Sequence, residues 1–124
     1  MKSISQVVAS QNEQNATRSI RNHGMQLHAL KQVTIIVEKI LQDQILPKLM
    51  ELGATGYTVI DCGGCGHRGV RTGEFGSNLQ ITLICPEDVS HKILTFVSQA
   101  YFENYATIAW ESDVQVVRGA RYVK

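Results

Sequence analysis

Aromatic residues make up only 6% of the 124-residue chain, with one tryptophan, and neither sign of charge dominates: twelve Lys and Arg stand against eleven Asp and Glu, a formal net charge of +1. Each scarcity removes a class of function. A near-neutral chain has no overall field to draw nucleic acid or an anionic membrane surface. So few aromatics leave little with which to build a stacking platform for single strands. No apolar run approaches the roughly 20 residues that span a bilayer, and the N-terminus has no apolar stretch followed by a cleavage site. No membrane insertion and a cytoplasmic location are therefore expected. The three cysteines, Cys62, Cys65 and Cys85, are odd in number and sparse, unlike a secreted disulfide framework. His23, His28 and His91 show no spacing characteristic of a Ser or Cys nucleophile working with a His and a carboxylate. Nothing organises nucleophilic or acid–base catalysis, and a protein that is not an enzyme is expected.

What is present is enough apolar residue, 44% of the chain, for one modest core. Residues 1–24 are rich in Ser, Gln and Asn, with too little apolar surface to offset the entropy of ordering. They are expected to be a flexible N-terminal extension, with residues 25–124 as the folded domain.

From residue 31 onward the periodicity becomes informative. Val33, Ile35 and Val37 alternate with Thr34 and Ile36 as in a strand. Leu41, Ile45, Leu46, Leu49, Met50 and Leu52 then recur at helical spacing and Gly53 supplies a stop. Pro47 suggests that the regular helix begins only shortly before it. Residues 56–61 and 78–85 alternate again as strands. Pro86 fits a first helical position, followed by Glu87 and Asp88 at the positive end of the dipole and a stripe of Val89, Ile93, Phe96 or Val97, and Ala100. A last strand runs over about 107–117. The order β-α-β-β-α-β is that of a ferredoxin-like α+β fold, two helices covering one face of a four-stranded antiparallel sheet. The other face, with Ile36, Ile60 and Ile84 among Thr and Gln, invites self-association. Trp110, Phe96 and Tyr101 are expected to be packing residues.

Residues 61–76 break this pattern. Six of the ten glycines fall there, no apolar periodicity survives, and neither helix nor strand can be written through the stretch. Arg68 and Arg71 sit among the glycines. Glycine lets backbone N–H groups turn toward an anion and guanidinium forks pair with phosphate or carboxylate, so the stretch reads as an anion-binding loop. Cys62, Cys65 and His67, with Cys85, also have spacing compatible with a redox pair or a partial zinc site, although a structural zinc site needs four close ligands. Small residues of a mobile loop are the simpler reading. Glu38 and Lys39 are open to two readings, a local ion pair or members of a site.

Val-Glu-Lys at 37–39, Gly-Ala-Thr-Gly-Tyr-Thr-Val at 53–59, Gly-x-Gly-x-Arg-x-Val-Arg at 64–71, Ser-Asn at 77–78 and Tyr-Phe-x-Asn-Tyr-Ala at 101–106 together resemble the PII-like signalling proteins, in particular their branch linked to bicarbonate transporters and carboxysomes. The resemblance spans about residues 33–121. It implies a homotrimer that binds an adenine nucleotide in each cleft between neighbouring subunits, with the glycine-rich stretch as the mobile T-loop, and bicarbonate joining ADP or AMP in the carboxysome-associated members. Carried over by position, Gly63, Gly64, Gly66, Arg68, Val70 and Arg71 of the loop, Asn104 and Tyr105 of the opposing wall, and Arg118 and Arg121 of the tail would hold the nucleotide. Lys39, Gly66 and Arg68 would hold bicarbonate. The implied ligands are not catalytic cofactors, and the implied protein partner is a bicarbonate transporter or carboxysome-related protein.

The chain departs from the classical members in three ways. It lacks the Thr-Gly-x-x-Gly-x-Gly-Lys phosphate loop after the second helix, which favours shorter phosphate tails than ATP. No tyrosine lies between residues 61 and 77 to accept a nucleotidyl group. The loop looks shorter than in transporter-binding relatives, and residues 118–124 are not expected to form their cysteine-bearing C-terminal hairpin. Two alternatives belong to the same fold: a trimeric metal-binding protein using Cys62, Cys65 and His67, and a slow nucleotide hydrolase.

Overall fold

The computed structural model describes residues 26–66, 69, 70, 77–118 and 122, so the extension expected at 1–24 lies outside the described residues. In chain order the elements are β1 (Leu27–Glu38), a 3-10 turn (Lys39–Leu41), α1 (Gln42–Glu51), β2 (Thr58–Cys62), two short strands β3 (Cys65–Gly66) and β4 (Gly69–Val70), β5 (Asn78–Cys85), α2 (Glu87–Tyr101) and β6 (Ile108–Val117). The main sheet has the order β2-β5-β1-β6 with every neighbouring pair antiparallel. This is the expected ferredoxin-like arrangement, with a β3–β4 hairpin inserted between its second and third strands.

Register decides which side chains meet the helices. Val33 pairs with Leu83, Ile35 with Ile81 and Val37 with Leu79, and all six are buried. Against them lie Leu41, Ile45 and Leu49 from the first helical segment and Val89, Ile93, Val97 and Tyr101 from α2, each an i, i+4 stripe. Two residues expected in those stripes fall outside them. Met50 is 38% exposed, one position round from Leu49, and Ala100 is exposed where Tyr101 is buried. Val97 rather than Phe96 takes the fully buried position.

Element boundaries differ from the sequence pattern where tertiary pairing overrides it. β1 starts at Leu27 rather than 31, because Leu27 to Leu30 pair with the last residues of β6, Leu27 opposite Val117 and Leu30 opposite Val114. β2 starts at Thr58 rather than 56, opposite Thr82. Pro47 is the sixth residue of α1, not close to its start. Its missing N–H leaves the Asp43 carbonyl without an i+4 donor, a loss made tolerable by the solvent exposure of Asp43 and by the burial of Ile45 and Leu49 on either side. Pro86 is the N-cap of α2, with φ −66° and ψ 162°, one residue ahead of the first helical position.

The end of α1 follows the sequence signal. Gly53, at φ +119°, donates its N–H to the Met50 carbonyl at 3.1 Å, and Ala54 donates to the Leu49 carbonyl at 3.1 Å. These are the paired bonds of a Schellman cap, completed by the buried side chains of Leu49 and Ala54.

Among the described residues no helix lies over the outer face of the sheet. One row across it reads Ile60, Gln80, Ile36, Ile108 and the next reads Thr58, Thr82, Thr34, Trp110. Ile60, Ile108 and Trp110 are 51%, 46% and 42% exposed. Trp110, expected as a packing residue, is left 42% exposed by the described residues.

Candidate functional site

Strand polarity collects one set of residues at one end of the sheet. β1 and β2 finish there, and β5 and β6 begin there. Glu38, Asn78 and Cys62 form the last register row, and the exposed Gly63 and Gly64 follow directly. Lys39 is the brace of this end. Its backbone N–H donates to the Ser77 carbonyl at 2.9 Å, and its ammonium lies 3.4 Å from Oδ1 of Asp61. One residue thus touches both strands from which the glycine-rich loop departs. Both members of the ion pair are about half exposed, so the pair contributes at most about 1 kcal/mol and leaves the ammonium available to a competing anion.

Glu38 does not pair with Lys39. Its carboxylate accepts a long hydrogen bond, 3.5 Å, from the Ala106 N–H, which ties the turn after α2 to the same end of the sheet. Within that turn Tyr105 donates its N–H to the Tyr101 carbonyl at 3.0 Å and Thr107 donates to the Tyr105 carbonyl at 2.9 Å. The turn presents Asn104 and Tyr105 to an open groove of about 420 Å³ between the helices, lined also by Gln44, Lys48, Phe96 and Tyr101. Tyr101 makes edge-to-face contacts with Phe96, centroids 5.5 Å apart, and with Tyr105 at 5.9 Å. The Lys48 ammonium stands 5.6 Å from the Phe96 ring centre. Burial, with Tyr105 beside it, pushes the Tyr101 phenol above its usual pKa, so it stays a neutral wall at physiological pH. The end of the molecule therefore combines two ammonium groups, exposed glycine backbone and an aromatic wall. It can hold an anion and a flat ring.

Of the residues expected to bind ligand, Lys39, Gly63, Gly64, Asn104 and Tyr105 come to this end. Gly66 and Val70 lie just beyond, in the β3–β4 ladder, where Gly66 pairs with Gly69 and Cys65 with Val70. The loop is thus not free of regular structure, contrary to its composition. Glycine hid the ladder, because it carries no side chain from which a period can be read. Arg68, Arg71 and Arg121 lie outside the described residues. Arg118 lies at the other end of the sheet. It follows Val117, which pairs with Leu27 at the opposite end of β1, so about 35 Å of strand separates it from Glu38. A single chain does not bring Arg118 to the loop.

Sequence reasoning missed Asp61, Gln44 and Lys48 as members of this end. Gln44 and Lys48 are spaced i, i+4 on α1, a signal visible in sequence, but only packing of the turn after α2 gives it a meaning. Cys85 cannot join Cys62: it lies on the core face of β5 opposite Lys31, whereas Cys62 alternates onto the outer face of β2. Among the described residues no group of three or more His, Cys, Asp and Glu is placed to hold a metal ion. No helix among them is long and apolar enough to cross a membrane.

Comparison with known proteins places this geometry. The family model for nitrogen regulatory protein P-II matches residues 30–121. A PII-like signalling protein from Thermus thermophilus is 37% identical with a TM-score of 0.68, over 78% of this chain and 98% of that one. The protein CPII from Thiomonas intermedia, a structure bound to ADP and bicarbonate, is 26% identical with a TM-score of 0.72, over 79% of this chain and 98% of that one. A second CPII structure, with ADP, AMP and bicarbonate, is 26% identical with a TM-score of 0.64, over 73% and 97% of the two chains.

Proposed function

The chain belongs to the nitrogen regulatory protein P-II family, and from that premise we propose that it is a signalling protein that binds an adenine nucleotide, ADP or AMP, together with bicarbonate. Homotrimers are typical of the family. The observation that carries the reading is the neck of the loop, where Lys39 braces both departing strands beside exposed Gly63 and Gly64. The nucleotide phosphates meet the loop backbone and Arg68 and Arg71, the base lies toward Asn104 and Tyr105, and bicarbonate takes Lys39, Gly66 and Arg68. Arg118, at the far end of the sheet, reaches the same ligand only from a neighbouring copy, and Arg121 is assigned to that copy with it, so the site is a cleft between subunits of a homotrimer. The ligands of the CPII structures support this choice of nucleotide and anion.

In this reading the signal is the order of the loop. Binding free energy of the anion offsets the conformational entropy lost when the loop is fixed, so loop order follows ligand concentration and changes which partner docks. The protein reports inorganic carbon and energy state in the cytoplasm, to a bicarbonate transporter or a carboxysome-related protein, without catalysing a reaction.

Isothermal titration with AMP, ADP, ATP and cyclic AMP, each with and without bicarbonate, tests the reading. ADP and AMP bind, bicarbonate tightens them, and Arg68→Ala or Arg71→Ala weakens ADP by about one to two powers of ten, the worth of a charged hydrogen bond. No heat with any nucleotide at millimolar concentration contradicts it.

A further inference from the structure

The nucleotide reading assigns no role to Cys62 and Cys65, and Cys62 stands in different surroundings from Cys85. Cys85 is 1% exposed on the core face of β5. Burial, with Glu111 and Asp88 nearby, pushes its thiol up to about 11, so it is inert to exchange at neutral pH. Cys62 is the last residue of β2, an edge strand of the sheet, and its side chain is only partly buried. Exposed Gly63 and Gly64 separate it from Cys65, which opens β3 and whose backbone pairs with Val70. The two cysteines therefore flank the turn at which the main sheet hands over to the β3–β4 hairpin. A disulfide needs the two cysteine Cα atoms within roughly 4.4–6.8 Å of each other, and two glycines between them put no Cβ in the way of a turn that tight.

We propose that Cys62 and Cys65 form a reversible disulfide that locks this turn, making the root of the loop a thiol–disulfide switch. The oxidant is a low-molecular-weight disulfide such as oxidised glutathione. The Cys62 thiolate attacks one sulfur, forming a mixed disulfide and releasing one glutathione thiolate. The Cys65 thiolate then attacks the Cys62 sulfur, closing the ring and releasing the second. Two protein thiols give up two electrons and two protons, and the glutathione disulfide becomes two thiols. The closed ring contains Gly63 and Gly64, so oxidation fixes backbone that binds phosphate. That second consequence rests on the nucleotide reading; the disulfide itself does not.

The full chain, reduced and then equilibrated at increasing ratios of oxidised to reduced glutathione, is acid-quenched, alkylated after denaturation and weighed intact. Alkylation falls from three thiols to one, with the loss of two hydrogens and no retained glutathione, while Cys62→Ser and Cys65→Ser each retain a glutathione adduct instead. Three alkylatable thiols at excess oxidised glutathione, a glutathione adduct persisting on the unsubstituted chain, or a disulfide linking two chains overturns the proposal. In a second arm, ADP affinity differs by at least about threefold between the reduced and oxidised chain and not in the serine variants. Equal affinity in both states overturns the coupling. Absence of ADP binding in either state contradicts the nucleotide reading and leaves the mass result to decide the disulfide.

Discussion

At the scale of single residues, three groups among the described residues resist losing a proton. Cys85 ionises near 9.0 in an unfolded chain and near 11 in its buried position. Between those values the unfolded chain has shed a proton that the folded chain keeps, so stability is intact below pH 9.0 and falls as pH climbs toward 11. Tyr101, raised by burial and then by Tyr105, and Lys31, raised chiefly by its hydrogen bond to Asp113, add losses of the same sign at higher pH. The Cys85 share is about 2–3 kcal/mol. Urea unfolding of Cys85→Ala should therefore lose that much less stability than the natural chain between about pH 9 and 11. Parallel pH profiles for the two chains would show that Cys85 plays no part.

At the scale of elements, the most exacting position is Gly53. Its φ of +119° disfavours any side chain, and a Cβ there would stand 3.1 Å from Cγ2 of Val89 in α2. Gly53→Ala strains the Schellman cap and the α1–α2 contact together, and chemical denaturation should show a loss of about 1–2 kcal/mol. Gly56→Ala, where a Cβ meets nothing within 4 Å, is the matched control and should change stability little. An equal effect at both positions would count against the account of the cap. Gly53 was legible as a stop because apolar spacing ends there. β5 was legible from end to end because strict alternation runs through Asn78–Cys85. The start of β1 was not legible, since it depends on pairing with residues far along the chain, and neither was the β3–β4 hairpin, built from residues that carry almost no side-chain signal.

At the scale of the whole molecule, the two ends of the sheet hold different parts of one expected site. The sequence carried the fold and the loop, but not their arrangement in space: Arg118 is as visible in the sequence as Lys39, and only the antiparallel register of β1 and β6 sends it to the opposite end. The outer face, left uncovered by the other described residues, is the candidate surface for bringing the parts together. Ile60, Ile108 and Trp110 are already about half covered, so burying the rest under a neighbour's sheet contributes roughly 0.7–1.5 kcal/mol each to association. Trp110→Lys should accordingly lower the mass measured by light scattering from three copies toward one and weaken nucleotide binding with it. A Trp110→Lys chain that keeps the trimer mass would place the interface elsewhere.

Native mass spectrometry with ADP and bicarbonate shows whether ligand is held between copies of this chain. A species of three chains carrying up to three ADP is expected, with no ADP on any monomer and higher occupancy when bicarbonate is present. ADP retained on single chains, or trimers that stay empty at millimolar ADP, would contradict that expectation.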